Sequence, residues 1–183
     1  MVQKQVVEAL MKPEAYDEEP GRIELLQTHI SFVFLTRNFV YKMKKAVNLG
    51  FLDFTTLEKR RFFCERELEL NRRLCKDMYL EVVPIKRSEV IKIKGQGETV
   101  EYAVKMKRMP QARMMSQLLD EDKVDTKLVN KIAKIISDFH SKAETNKKIS
   151  KFGSSATIES NWKENFEQTH SSSAKRYPRR VFN

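Results

Sequence analysis

Apolar residues recur along the chain with two periods, and the predicted elements change where the period changes. Val2, Val6, Val7 and Leu10 recur at helical spacing until Pro13 interrupts, which predicts a short amphipathic helix whose apolar face docks on a sheet. After the polar turn at 17–21 the residues favour strands at 23–26, 30–35 and 39–44, with Thr36-Arg37-Asn38 as a tight hairpin connection. Thr55 and Glu58 match a T-x-x-E capping box, in which hydroxyl and carboxylate reciprocally satisfy backbone donors. That box predicts a helix over about 56–74 with Phe63, Glu67, Leu70 and Leu74 on one face.

Residues 82–85 and 90–94 read as extended, Gly95-Gln96-Gly97 as a turn, and 99–106 alternates Val100, Tyr102, Val104 and Met106 against polar positions. A second hairpin follows from that pattern. Residues 114–119 form a short helical segment. Asp125 or Thr126 then caps a helix carrying Leu128, Ile132, Ile135, Ile136, Phe139 and Ala143 on one side. Beyond Glu144 the periodicity dissolves, with only Trp162 and Phe166 suggesting a packed turn, and the last fifteen or so residues read as a disordered basic tail.

The chain has 183 residues, 40% of them hydrophobic, which suffices for one respectable core. A formal net charge of +10 favours anionic partners such as nucleotides, nucleic acid or anionic lipid. No apolar run approaches the ~20 residues of a membrane span, and the start Met1-Val2-Gln3-Lys4 lacks the layout of a secretory signal, so the expectation is a cytoplasmic protein without a membrane partner. Cys64 and Cys75 on one helix would stand roughly 16 Å apart, beyond the ~7 Å reach of a disulfide, and are expected as free thiols. His29, His140 and His170 are scattered and no CxxC occurs, so no structural metal is expected.

Glu67 carries the most chemical information. A carboxylate between Phe63 and Leu70 is partly desolvated and needs a cation or several hydrogen bonds. Strand alternation over 39–45 sends Val40, Lys42 and Lys44 to one side and Tyr41, Met43 and Lys45 to the other, so Lys42 and Lys44 are rival partners. A solvated lysine beside a snorkelling glutamate is the plainer alternative.

The segments Thr28-His29-Ile30-Ser31-Phe32-Val33-Phe34-Leu35, Tyr41-Lys42-Met43-Lys44-Lys45, Asn48-Leu49-Gly50-Phe51-Leu52-Asp53-Phe54 and Cys64-Glu65-Arg66-Glu67-Leu68-Glu69-Leu70-Asn71-Arg72-Arg73-Leu74 resemble the aminoglycoside phosphotransferase-like family. More narrowly, they are similar to the uncharacterised branch in which such a domain precedes a P-loop ATPase domain. Phe139-His140-Ser141-Lys142-Ala143 is typical of the wider family. The resemblance implies an α+β fold: a protein-kinase-like small lobe over 1–109, an antiparallel sheet with one packed helix, then the first helices of a truncated large lobe over 110–168, and a basic tail over 169–183. It implies ATP and magnesium as cofactors of the intact family. Lys42 corresponds to the lysine that pairs the ATP phosphates, Glu67 to the helix glutamate that orients it, and Lys44 is the fallback. The turn around His29 and Ser31 would lie over the phosphates, and 106–109, with Met106 and Arg108, would connect the lobes at the adenine.

Family members carry an H-x-D-x-x-x-x-N catalytic loop and a later magnesium-holding aspartate, whereas Asp138 is the last aspartate here. A glycine-rich G-x-G-x-x-G and the P-loop signature G-x-x-x-x-G-K-[ST] are also absent. The expectation is therefore an amino-terminal fragment of an ATP-dependent small-molecule phosphotransferase that binds nucleotide weakly and is inactive alone. A truncated or frameshifted reading frame near Gln168 would produce such a chain. The alternatives are one half of a split kinase, with the missing large lobe on a separate chain, or a noncatalytic binding or regulatory module. Nucleic-acid binding through the cluster from Lys175 to Arg180 is the least favoured reading, because the aromatics fall at core spacings.

Overall fold

Six strands pair wherever the alternating pattern runs, and two helices cover the faces that alternation creates. The computed structural model describes residues 2–176. Its strands are β1 (Glu24–Gln27), β2 (Ser31–Leu35), β3 (Phe39–Lys44), β4 (Tyr79–Arg87), β5 (Ile91–Ile93) and β6 (Glu98–Lys107). They form one antiparallel sheet in the order β1-β2-β3-β6-β4-β5. The architecture is α+β.

Helix α1 (Val2–Leu10) lays Val6 and Leu10 on one face of the sheet. There they meet Phe34, Tyr41, Met43, Val83, Ile85 and Ala103 in the main apolar core. The opposite face is covered by α2 (Leu57–Arg72). Register fixes which residues it receives: Val33 pairs with Lys42, Ser31 with Lys44, and Lys42 with Val104, so all of these point to the α2 side.

Two local details differ from the sequence reading. The cap of α2 is Thr56, whose hydroxyl accepts from the Lys59 amide at 3.2 Å, while Thr55 turns its hydroxyl to Asp53 at 2.6 Å. The inward line of α2 runs through buried Arg60 and Cys64 to the partly buried Glu67, rather than on through Leu70 and Leu74, which are both about half exposed. The sheet explains this. It presents two lysines on that side, and the helix turns its carboxylate toward them.

The described contacts divide into two units, Met1–Val124 and Asp125–Asn183. The first includes the short helix α3 (Met115–Asp120) together with the sheet. In the second, α4 (Thr126–Ser141) starts at Asp125, whose carboxylate accepts from the Leu128 amide at 2.7 Å. Past Glu144, where periodicity predicts no regular structure, the chain forms α5 (Lys147–Phe152) and α6 (Ser155–Arg176). Asn146 caps α5 at 2.9 Å, and capping starts a helix without any amphipathic stripe. Trp162 and Phe166 meet edge to face at 5.8 Å as an i,i+4 pair on α6, not across a turn. Helix α6 enters the segment read as a basic tail, and residues 177–183, with Arg179 and Arg180 of its basic cluster, lie outside the described residues.

The turn into β6 depends on one glycine. Gly97 has φ +93°, and a Cβ there would lie 2.0 Å from the carbonyl oxygen of Arg87. Gly97→Ala is expected to lower the unfolding free energy by at least about 1 kcal/mol in urea titration, whereas an unchanged midpoint would contradict this account of the turn.

Candidate functional site

Lys42 and Lys44 are two apart on β3, so both side chains rise from the same face toward the middle of α2. Glu67 receives both. Lys42 Nζ donates to Oε1 at 2.8 Å and Lys44 Nζ to Oε2 at 2.7 Å. The sequence leaves these lysines as rivals; the structure uses both, one on each carboxylate oxygen. Their surroundings differ. The Lys44 side chain is 6% exposed and its ammonium lies 5.0 Å from the Phe54 ring centroid, whereas the Lys42 side chain is 30% exposed.

Burial pushes the Glu67 carboxyl up, but hydrogen bonds and charge from Lys42 and Lys44 outweigh it and hold the group below its usual value. Two ammonium groups against one carboxylate leave a local excess of one positive charge. Lys42 has the access to solvent that an incoming anion requires.

A second polar group lies along the same helix face and was not foreseen. Arg60 Nε donates to both oxygens of Glu101, at 2.8 and 2.9 Å, and Gln3 Nε2 donates to Glu101 Oε2 at 2.8 Å. Glu101 is fully buried. The alternation over 99–106 places it on a polar and hence outward face, a reading that fails because helices cover both sides of this sheet. One signal was available: Arg60, Cys64 and Glu67 follow helical spacing and interrupt the apolar stripe with polar groups.

Beside the lysines lies a cleft of about 470 Å³ lined by Leu35, Val40, Cys75, Met78, Tyr79 and Met106, with Arg108 on its wall. Val40 shares the face of Lys42. Tyr79 also connects the cleft to the ion pair, because its phenol is pushed up by burial and then by the charge of Glu67. The volume and largely apolar lining suit a flat aromatic group.

The remaining predicted residues are placed less directly. The Arg108 guanidinium donates to the Thr36 carbonyl at 2.8 Å and reaches Glu24 at 3.5 Å, so its charge is engaged within the sheet unit. The amides of Lys107 and Arg108 donate to Met78 and Asn38 carbonyls at 3.0 and 2.8 Å, which leaves fewer groups in 106–109 for a ligand. Ser31 is fully buried, with its hydroxyl lacking a hydrogen-bond partner, while His29 beside it is exposed. Among the described residues no group of three or more His, Cys, Asp or Glu side chains is arranged to hold a metal ion. Nor is any described helix long and apolar enough to cross a membrane.

No family model and no solved structure matches the chain. Uncharacterized proteins of Mycobacterium tuberculosis and Mycobacterium bovis are each 29% identical to it over 143 residues. The match covers 78% of this chain and 27% of each relative, so the chain spans about a quarter of the length of the curated relatives it matches.

Two outcomes follow from the geometry. The folded carboxyl of Glu67 lies below its unfolded value, so its contribution to stability is complete above the ordinary carboxyl range and is lost as the pH falls through the folded value. Urea unfolding from neutral into acid pH should therefore show a loss of stability that Glu67→Gln removes; parallel curves would contradict the pairing. Burial pushes the Cys64 thiol up to about 12, while Cys75 is exposed. A thiol reagent should label Cys75 in the native protein and reach Cys64 only after unfolding, and rapid native labelling of both would contradict the packing under α2.

Proposed function

We propose that the sheet unit is the nucleotide-binding small lobe of a kinase-like, ATP-dependent small-molecule phosphotransferase of the aminoglycoside phosphotransferase-like kind. The observation that carries the reading is Lys42 donating to Glu67 at 2.8 Å between a central strand and the helix packed on it. The strand order β1-β2-β3-β6-β4, with the helix inserted between β3 and β4, supports it. So does the cleft next to the pair.

In this reading the cleft takes the base and Lys42 takes the phosphates, while Glu67 orients Lys42. Lys44 is the constant counter-charge of Glu67, so that Lys42 keeps a cation's worth of attraction for the ligand. Bound magnesium would spread the phosphate charge, and no residue described here is assigned to hold it. Phosphoryl transfer relies on positioning and on stabilising spread negative charge, so these residues by themselves bind nucleotide and do not complete the reaction.

Two further forms of the reading are one half of a split kinase and a noncatalytic module of kinase-like ancestry. The first is favoured by Val129, Ile135 and Ile136, about half exposed on α4. The acceptor substrate is left open, because acceptor recognition in such folds belongs to the large lobe.

A thermal-shift titration with ATP, with and without magnesium, tests the reading. At about ten times the dissociation constant the wild-type midpoint should rise by roughly 3–6 °C. Lys42→Ala should abolish the rise. Equal shifts in the two proteins, including no shift in either, would contradict the nucleotide site.

A further inference from the structure

The ion pair between Arg60 and Glu101 lies outside the cleft, and the nucleotide reading makes no use of it. Its bonds nevertheless reach four segments of the sheet unit. Besides holding Glu101, Arg60 donates through Nη1 to the carbonyls of Phe54 and Thr55, both at 3.0 Å, which ties down the loop entering α2. Gln3 of α1, which also donates to Glu101, donates to the Lys44 carbonyl at 2.9 Å and accepts from the Ala46 amide at 2.9 Å. Helix α1, the end of β3, the start of α2 and the middle of β6 thus meet at one buried carboxylate.

A buried ion pair is a weak source of stability, since apolar residues of similar volume do as well or better. What the pair supplies is fixed geometry, because a guanidinium fork meets a carboxylate and two carbonyls in one orientation. Arg60 and Glu67 are seven residues apart, two helical turns or about 10 Å along a stiff rod, with Cys64 between them on the same face. Fixing the roll of α2 at Arg60 therefore fixes the direction of Glu67. The far end is held by Arg72, which donates to the carbonyls of Tyr79 and Leu80 from an exposed position. Glu67 has little tolerance for error, since each of its oxygens meets a different ammonium at under 3 Å.

We infer that Arg60, held by Glu101, is a positioning residue that keeps the Glu67 carboxylate between Lys42 and Lys44 before any ligand arrives. Its consequence for nucleotide binding rests on the function proposed above; its effect on Glu67 does not. Replacing the pair with apolar residues should leave a folded helix that has lost its angular reference. The carboxylate then stops meeting both lysines at once, and Lys42 is no longer aimed.

The experiment compares wild type, Arg60→Met/Glu101→Leu, Glu67→Gln and the triple variant. The apolar pair avoids an unpaired buried charge, and Glu101→Gln, which keeps the side-chain size, takes its place if that protein does not fold. Two readouts are taken. Carbon-13 NMR follows the titration of the Glu67 carboxyl without nucleotide, and calorimetry gives the ATP affinity. The inference expects the Glu67 titration to move up toward the usual carboxyl range, while urea unfolding shows the fold kept. It also expects ATP affinity to fall about tenfold in the Arg60→Met/Glu101→Leu protein, with no further fall when the swap is made in Glu67→Gln. An unchanged Glu67 titration overturns the inference, and so does an equal loss of affinity with and without the Glu67 carboxylate. If wild type and Lys42→Ala bind ATP equally, the nucleotide reading fails, and the Glu67 titration alone still decides whether Arg60 positions it.

Discussion

A carboxylate taken most of the way out of water has to be matched by positive charge or it will not stay ionised. Glu67 is matched twice, by two lysines on one strand, and this double pairing organises the sheet unit. With the Glu67 face of α2 turned inward, Leu70 and Leu74 lie toward solvent. The pairing also leaves one positive charge uncompensated beside an apolar cleft. The less exposed lysine completes the pair, and the more exposed one is available for other work.

The two faces of the sheet are built on different principles. Toward α1 the contacts are apolar and account for most of the burial. Toward α2 they are polar and directional, running from Arg60 and Glu101 past Cys64 to Glu67 and its lysines. The apolar side supplies stability and tolerates adjustment, as hydrophobic packing does. The polar side is directional, because charge-assisted hydrogen bonds are specific in geometry. Gln3 belongs to α1 yet hydrogen-bonds within the polar group, and so links the two faces.

Much of the sheet unit was legible in the sequence. Alternation located β2, β3 and β6, and helical spacing located α1 and α4, because each has a clear apolar period. Glu67 was legible as a charge where the helical period calls for an apolar residue, and its two candidate lysines as charged positions sharing one face of the strand. Glu101 was hidden because alternation reads a strand covered on both sides as half exposed. The choice between Lys42 and Lys44 could not be made from period alone, since both point the same way; only exposure separates them. Helices α5 and α6 lack a stripe that sequence reading could detect, and the cap of α2 fell one residue later because Thr55 is engaged by Asp53.

The central claim is that Lys44 is the standing partner of Glu67 while Lys42 answers to an anionic ligand. Proton–nitrogen correlation spectra of the lysine ammonium groups, recorded as ATP is added, test it most directly. The account predicts that the Lys42 signal shifts progressively toward saturation while Lys44 keeps the signature of its bond to Glu67. A shift confined to Lys44, or no response from either lysine across the whole ATP titration, would contradict it.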